Sequence, residues 1–104
     1  MFKIFFDGAS KGNPGKAGSG GVIMCPEGNI EVEYYLNVGF DSNSMAEVYG
    51  LWQGIKQLKD KGVEEAIVCG DSGLIIHALN GASQSRNMRL DRMIKRVKSL
   101  IKSF

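Results

Sequence analysis

From Phe2 to Phe6, apolar side chains stand at every second position, with Lys3 and Phe5 between them. A period of two predicts a strand, and an apolar Phe5 on the second face predicts that the strand is largely buried on both sides. The strand delivers Asp7 to a stretch holding Gly8, Gly12, Asn13, Pro14 and Gly15, residues suited to a tight turn. Residues 19–25 read as a second strand, followed by a turn over 26–29. Residues 30–38 read as a third, with Ile30, Val32, Tyr34 and Leu36 on one face and Glu31 and Glu33 opposite. The short connections predict an antiparallel meander.

After a polar loop over 39–43 the spacing changes. Val48, Leu51, Trp52, Ile55 and Leu58 recur at helical intervals, which predicts a helix from Ser44 to about Lys61, ended by Gly62. Residues 64–70 predict a fourth strand, reached through that helix and therefore parallel to the first. A short helix over 74–80 follows, stopped by Gly81. A last helix over 88–104 carries the stripe Leu90, Met93, Ile94, Val97, Leu100 and Ile101. There is no repeat, linker or low-complexity tract, so residues 1–104 are expected to form a single α/β domain with a mixed sheet flanked by helices.

Composition narrows the class. With 43% hydrophobic and 23% charged residues the chain has the balance of an ordinary globular protein. No apolar run approaches the roughly 20 residues of a membrane span, and the first residues lead into a strand without a signal-peptide pattern. An intracellular protein with no membrane partner is expected. Cys25 and Cys69 lack CxxC spacing and lie in apolar segments, so buried free thiols are expected. The net charge of +2 hides an asymmetry: residues 86–104 hold seven basic side chains against Asp91, while eight of the eleven acids fall between Glu27 and Glu65. A cationic end suits a polyanion, and it equally suits a solvated helix face.

Three acids draw attention by their placement. Asp7 ends the first strand, Glu47 lies in the first turn of the crossover helix, and Asp71 follows the fourth strand. Each has a simple structural explanation. Asp7-Gly8 makes a turn, Ser44 and Glu47 make a capping box, and Asp71 caps the next helix. If the first and fourth strands are neighbours, however, both aspartates emerge side by side, and the helix adds Glu47. Three such carboxylates repel unless a cation lies between them. Oxygen donors without His or Cys favour Mg²⁺ or Mn²⁺, and two-metal phosphodiester cleavage is chemistry that uses such a cluster. Nucleotide-binding loops are excluded. Ser10 and Ala17 break a P-loop around Gly15-Lys16, and Ile23 breaks a dinucleotide fingerprint from Gly18.

The stretches DGASKGNPGKAGSGGVI, SNSMAEVYGLWQGI and VCGDSGLIIHALNG, in this order, resemble the type 1 ribonuclease H family, most closely its compact, plant reverse-transcriptase-like branch. The resemblance spans essentially the whole chain. It implies endonucleolytic cleavage of the RNA strand of RNA/DNA hybrids with two Mg²⁺ ions, Mn²⁺ being the other candidate. Asp7, Glu47 and Asp71 match three of the family's four metal-binding acids, and catalysis is assigned to the same three. Hybrid contacts are expected from Gly8, Ser10, Lys11, Asn13, Ser42, Asn43, Ser44 and Ser72, with Ser42 in the place of a phosphate-contacting threonine. Lys16 and the basic last helix are further candidates for phosphates. Ser44 replaces a usual Asn and Gly73 a usual Gln, which predicts weaker hybrid contacts and an unaltered metal triad. Lone His77 is read as an ordinary helix residue.

The family pattern continues into a fifth strand, a His-bearing loop and a helix with the fourth acid, none of which Asp91 replaces. The domain is therefore expected to be incomplete at its C-terminal side. The fourth strand then forms an open edge, and a homodimer or strand exchange is expected there. The alternative to an active enzyme is a catalytically weak or inactive module that binds hybrid or RNA, or is purely structural.

Overall fold

The computed structural model describes residues 1–70, 75, 79 and 88–103. Four strands and two helices make up these residues. They are β1 (Phe2–Lys11), β2 (Gly15–Met24), β3 (Ile30–Asp41), α1 (Asn43–Asp60), β4 (Ala66–Gly70) and α2 (Met88–Lys102). The sheet order is β3-β2-β1-β4. β1 pairs antiparallel with β2, β2 antiparallel with β3, and β4 parallel with β1. The expected mixed α/β sheet is present, with β4 as an outer strand of the described sheet. Of the helix expected over 74–80, Ile75 and Leu79 are described, both helical, and both pack on the core. His77 lies outside the described residues.

One face of the sheet carries the core. Ile4 and Phe6 of β1 and Ile23 of β2 meet Val48, Leu51, Ile55 and Leu58 of α1, and α2 adds Leu90, Met93, Ile94 and Val97. The helical stripes read from the spacing are thus the packing stripes, except that Ile101 is exposed. The other face corrects the expectation that β1 is buried on both sides. Phe5 is 41% exposed, and Ile67 and Tyr35 are exposed beside it. Both helices pack on the Ile4/Phe6 side, so the second half of the apolar pattern stays open among the described residues.

The strands are longer than the pattern suggests. β1 continues to Lys11 and β2 begins at Gly15, so Asp7 sits within a strand. Likewise β3 runs on to Asp41, because backbone pairing with β2 carries it through polar residues that hydrophobic periodicity cannot register. A register shift at the Ile23/Met24 step leaves Glu31 extra in β3. Such a bulge breaks the alternation, and Ile30, expected on the inner face, is exposed. β4 begins only at Ala66, after exposed Glu64 and Glu65. Cys25 and Cys69 are free thiols, half-buried rather than buried.

Helix α1 lies close on the sheet through small residues. A Cβ on Gly54 would strike the Tyr34 hydroxyl and come 3.0 Å from the Ile4 side chain. Tyr34 itself is buried, donates to the Gly50 carbonyl at 2.7 Å, and has its phenol pushed up to about 12 by burial. The folded state therefore keeps this proton while the unfolded chain loses it near its ordinary value of about 10. The linked stability is whole below about pH 10 and is lost as pH rises through about 12. In urea titrations, stability is expected to fall more steeply between these values in the wild type than in Tyr34→Phe. At neutral pH the substitution costs about 1 kcal/mol for the lost hydrogen bond. Equal alkaline slopes would assign the fall to other groups.

Candidate nucleic-acid and metal site

The junction of β1, the β1–β2 hairpin and the N-terminus of α1 gathers most of the predicted residues. Asp7 pairs across the sheet with Gly20, is exposed, and accepts the Gly8 N–H on Oδ1 at 2.9 Å. It opens into a trough on the sheet face left uncovered among the described residues, lined also by Gly20, Tyr35, Cys69 and Gly70. Gly8 faces α1 so closely that a Cβ there would collide with the Glu47 backbone nitrogen and with Ala46. The absence of a side chain at position 8 is what lets the first turns of α1 reach the strand. Glu47 is thereby held beside the Asp7-Gly8 segment, half-buried.

The helix start corrects one structural explanation for Glu47. The N-cap is Ser42, whose hydroxyl accepts the Met45 N–H at 3.2 Å, and not Ser44. The reciprocal capping position is therefore Met45, and Glu47 lies two residues past it, outside any capping box. Ser44 sits within the first turn. That turn holds no acid, while Asp41, just before the cap, places a carboxylate at this end of the helix by accepting the Ser42 N–H on Oδ1 at 2.9 Å.

Asn43 and Asn13 are bound into the same junction. The side-chain oxygen of Asn43 accepts the Ser10 N–H at 2.6 Å and the Ser10 hydroxyl at 2.9 Å, while the Asn43 N–H donates to the Asn13 side-chain oxygen at 3.0 Å. Backbone N–H groups can only donate, so both amide orientations are fixed by their partners rather than chosen. Each asparagine keeps its NH₂ group as a donor that none of these bonds uses. Ser10 uses both of its donors on Asn43, and Gly8 donates its N–H to the exposed Asp7 carboxylate. Lys11 and Lys16 face each other across the hairpin, both exposed.

Asp71 and Ser72, expected beyond β4, lie outside the described residues, as does Gly73. The described end of β4 is Gly70, paired with Phe6. Among the described residues, no three His, Cys, Asp or Glu side chains are close enough to hold a metal ion. The donors that Asp7 and Glu47 would offer are hard oxygens, and no described cation forms an ion pair with either. That donor set fits Mg²⁺ or Mn²⁺ and does not fit zinc.

Sequence reasoning passed over Asp41 and Arg89. Asp41 is buried at the end of β3 and forms an ion pair with Arg89 of α2, with 2.7 Å between Oδ2 and the guanidinium. A partner 48 positions away leaves no local signal. A carboxylate directly before a helix cap was the only available hint.

The sequence pattern of a family described as reverse transcriptase-like matches residues 5–104. Ribonuclease HI of Halobacterium salinarum is 34% identical over 100 residues, which cover 96% of this chain and 50% of that protein. Ribonuclease H of a Sulfurovum species is 31% identical over 94 residues, covering 90% and 61%. The chain thus spans about half the length of the Halobacterium relative. Among solved structures, RNase H1 of Halobacterium salinarum superposes with a TM-score of 0.93 at 33% identity, covering 99% of this chain and 78% of that one. LC11-RNase H1 in complex with an RNA/DNA hybrid superposes with a TM-score of 0.91 at 27% identity, covering 99% and 78%. No described helix is long and apolar enough to cross a membrane.

Proposed function

The chain belongs to the type 1 ribonuclease H family, and from that membership we propose that it is a nuclease domain hydrolysing the RNA strand of RNA/DNA hybrids with Mg²⁺. The observation that carries this reading is the bonded junction of Ser10, Asn13 and Asn43 beside the Asp7-Gly8 and Glu47 segments. The two amide NH₂ groups that these bonds leave unused suit the minor groove, whose edges and ribose oxygens are mainly acceptors and where a 2′-hydroxyl tells RNA from DNA. The Ser42 hydroxyl, accepting from Met45, keeps its proton for a phosphate oxygen at the start of α1. Lys11 and Lys16 add positive charge at the hairpin.

Asp7, Glu47 and Asp71 would hold the metal. For Asp71 the support is the register up to Gly70: Phe6 pairs with Gly70, and in the sequence Asp7 follows the one and Asp71 the other. Divalent ions, when bound, supply the Lewis acidity and charge neutralisation that phosphodiester hydrolysis needs. The chain's own part is to fix the carboxylates on a strand and a helix that touch through backbone, and to orient the ribose and phosphate against them. Pairing of β4 with a second copy belongs to the same proposal, supported by its outer place in the described sheet.

The test is cleavage of an end-labelled RNA/DNA hybrid by this chain in Mg²⁺, with and without EDTA. The expected result is cut RNA, intact DNA and no products in EDTA. Hybrid binding without cleavage by a folded chain would favour the inactive-module alternative, and neither binding nor cleavage would overturn the reading.

A further inference from the structure

Asp41 is 7% exposed, and a carboxylate that deep requires donors. Its Oδ1 accepts the Ser42 N–H at 2.9 Å and an Arg89 nitrogen at 3.4 Å, and its Oδ2 accepts the other Arg89 nitrogen at 2.7 Å. Arg89 comes from the first turn of α2, and its side chain is 61% exposed. Hydrogen bonding to Asp41 raises its pKa, and Tyr49 of α1 lies beside it. From Asp41 the chain passes through the cap Ser42 to Asn43, which is bonded to Ser10 and Asn13. One network therefore runs from α2 through the β3–α1 junction to β1 and the hairpin.

We propose that Asp41 and Arg89 are a positioning pair for hybrid binding: they fix the direction of the β3–α1 junction, and through it the approach of Asn13, Ser42 and Asn43 to the nucleic acid. The inference rests on the nuclease reading above and deepens it. Two features separate this role from general stabilisation. Arg89 buries little surface, so its loss removes little packing. Its loss does, however, leave the buried Asp41 carboxylate with the Ser42 N–H as its one remaining donor among the three. The carboxylate then turns toward water and carries the Ser42 peptide with it. A planar two-point partner also fixes direction, which a lysine ammonium does less well.

The experiment measures binding of a fluorescent RNA/DNA hybrid by anisotropy, in calcium to hold off cleavage, with a DNA duplex of the same sequence as reference. Arg89→Gln is expected to weaken hybrid binding about tenfold without changing its salt dependence, and Arg89→Lys to recover part of that loss. Asp41→Asn, which keeps an acceptor for Ser42, should fall between wild type and Arg89→Gln. Amide hydrogen exchange should quicken at Ser10 and Asn43 in Arg89→Gln while Tyr34 and Leu51 keep wild-type protection, which shows that the fold is intact. A wild type that does not prefer hybrid to DNA overturns the nuclease reading and this inference together. A wild type that prefers hybrid, with Arg89→Gln binding equally well, overturns this inference alone. So does a salt slope reduced by about one in Arg89→Gln, because that would place Arg89 directly on a phosphate.

Discussion

Gly8→Ala is expected to lower stability by about 3 kcal/mol, at the upper end of what overpacking a tight interior costs, and to impair the site with it. The added methyl meets the Glu47 backbone nitrogen and the Ala46 carbonyl carbon. Backbone atoms inside a helix cannot rotate aside as the end of a side chain can. Either α1 tips away from β1 or the strand bends, and both movements separate Asp7 from Glu47 and strain the Ser10–Asn43 bonds two residues further on. Urea unfolding measures the loss, with Gly18→Ala as the comparison. At position 18 the methyl would find Leu36 O at 3.4 Å, an ordinary contact, and the midpoint should move by no more than about 0.5 kcal/mol. Equal losses in both variants would show that strand glycine content, and not the helix approach, sets the stability of this junction.

The asymmetry between those two glycines shows where reading the sequence succeeds and where it stops. Periodicity located the four strands and two helices because Ile4, Phe6, Leu51 and Val97 are buried for the reason the pattern implies. It placed Asp7 and Glu47 near one another through the parallel crossover alone. It could not find the ends of elements that continue through polar residues. β3 reaches Asp41 and the cap is Ser42 because backbone pairing and a buried ion pair hold that segment, and neither leaves a periodic trace. Phe5 misled for the opposite reason, since an apolar residue states a preference for burial without supplying the element that covers it. The donors of Ser10 are bonded to Asn43 and the N–H of Gly8 to the exposed Asp7 carboxylate, bonds that no sequence pattern announces. Likewise, the amide orientations of Asn13 and Asn43 follow from two backbone N–H groups whose direction only the fold determines.

Glu47→Gln separates a structural role from a chemical one most sharply. Were Glu47 part of a capping box, its replacement by Gln would be mild, because Gln serves in that motif, and removing the side chain would cost about 1 kcal/mol. The cap is instead Ser42 bonded to Met45, which leaves the Glu47 carboxylate without a structural duty among the described contacts. Gln preserves its size and helix propensity, so stability in the absence of metal should stay within about 0.5 kcal/mol of wild type. Cleavage in Mg²⁺ should nonetheless fall by about 10³-fold, corresponding to roughly 4 kcal/mol of lost charge stabilisation in the transition state. Asp7→Asn should fall by at least as much. A second readout is independent of turnover: Mg²⁺ added to the free wild type should shift the Gly8 amide resonance, and Glu47→Gln should require a higher Mg²⁺ concentration for the same shift. Unchanged cleavage with a lowered unfolding midpoint would make Glu47 a structural residue and remove it from the metal site. Lost cleavage at unchanged stability leaves the metal as the reason for a carboxylate at that turn of α1.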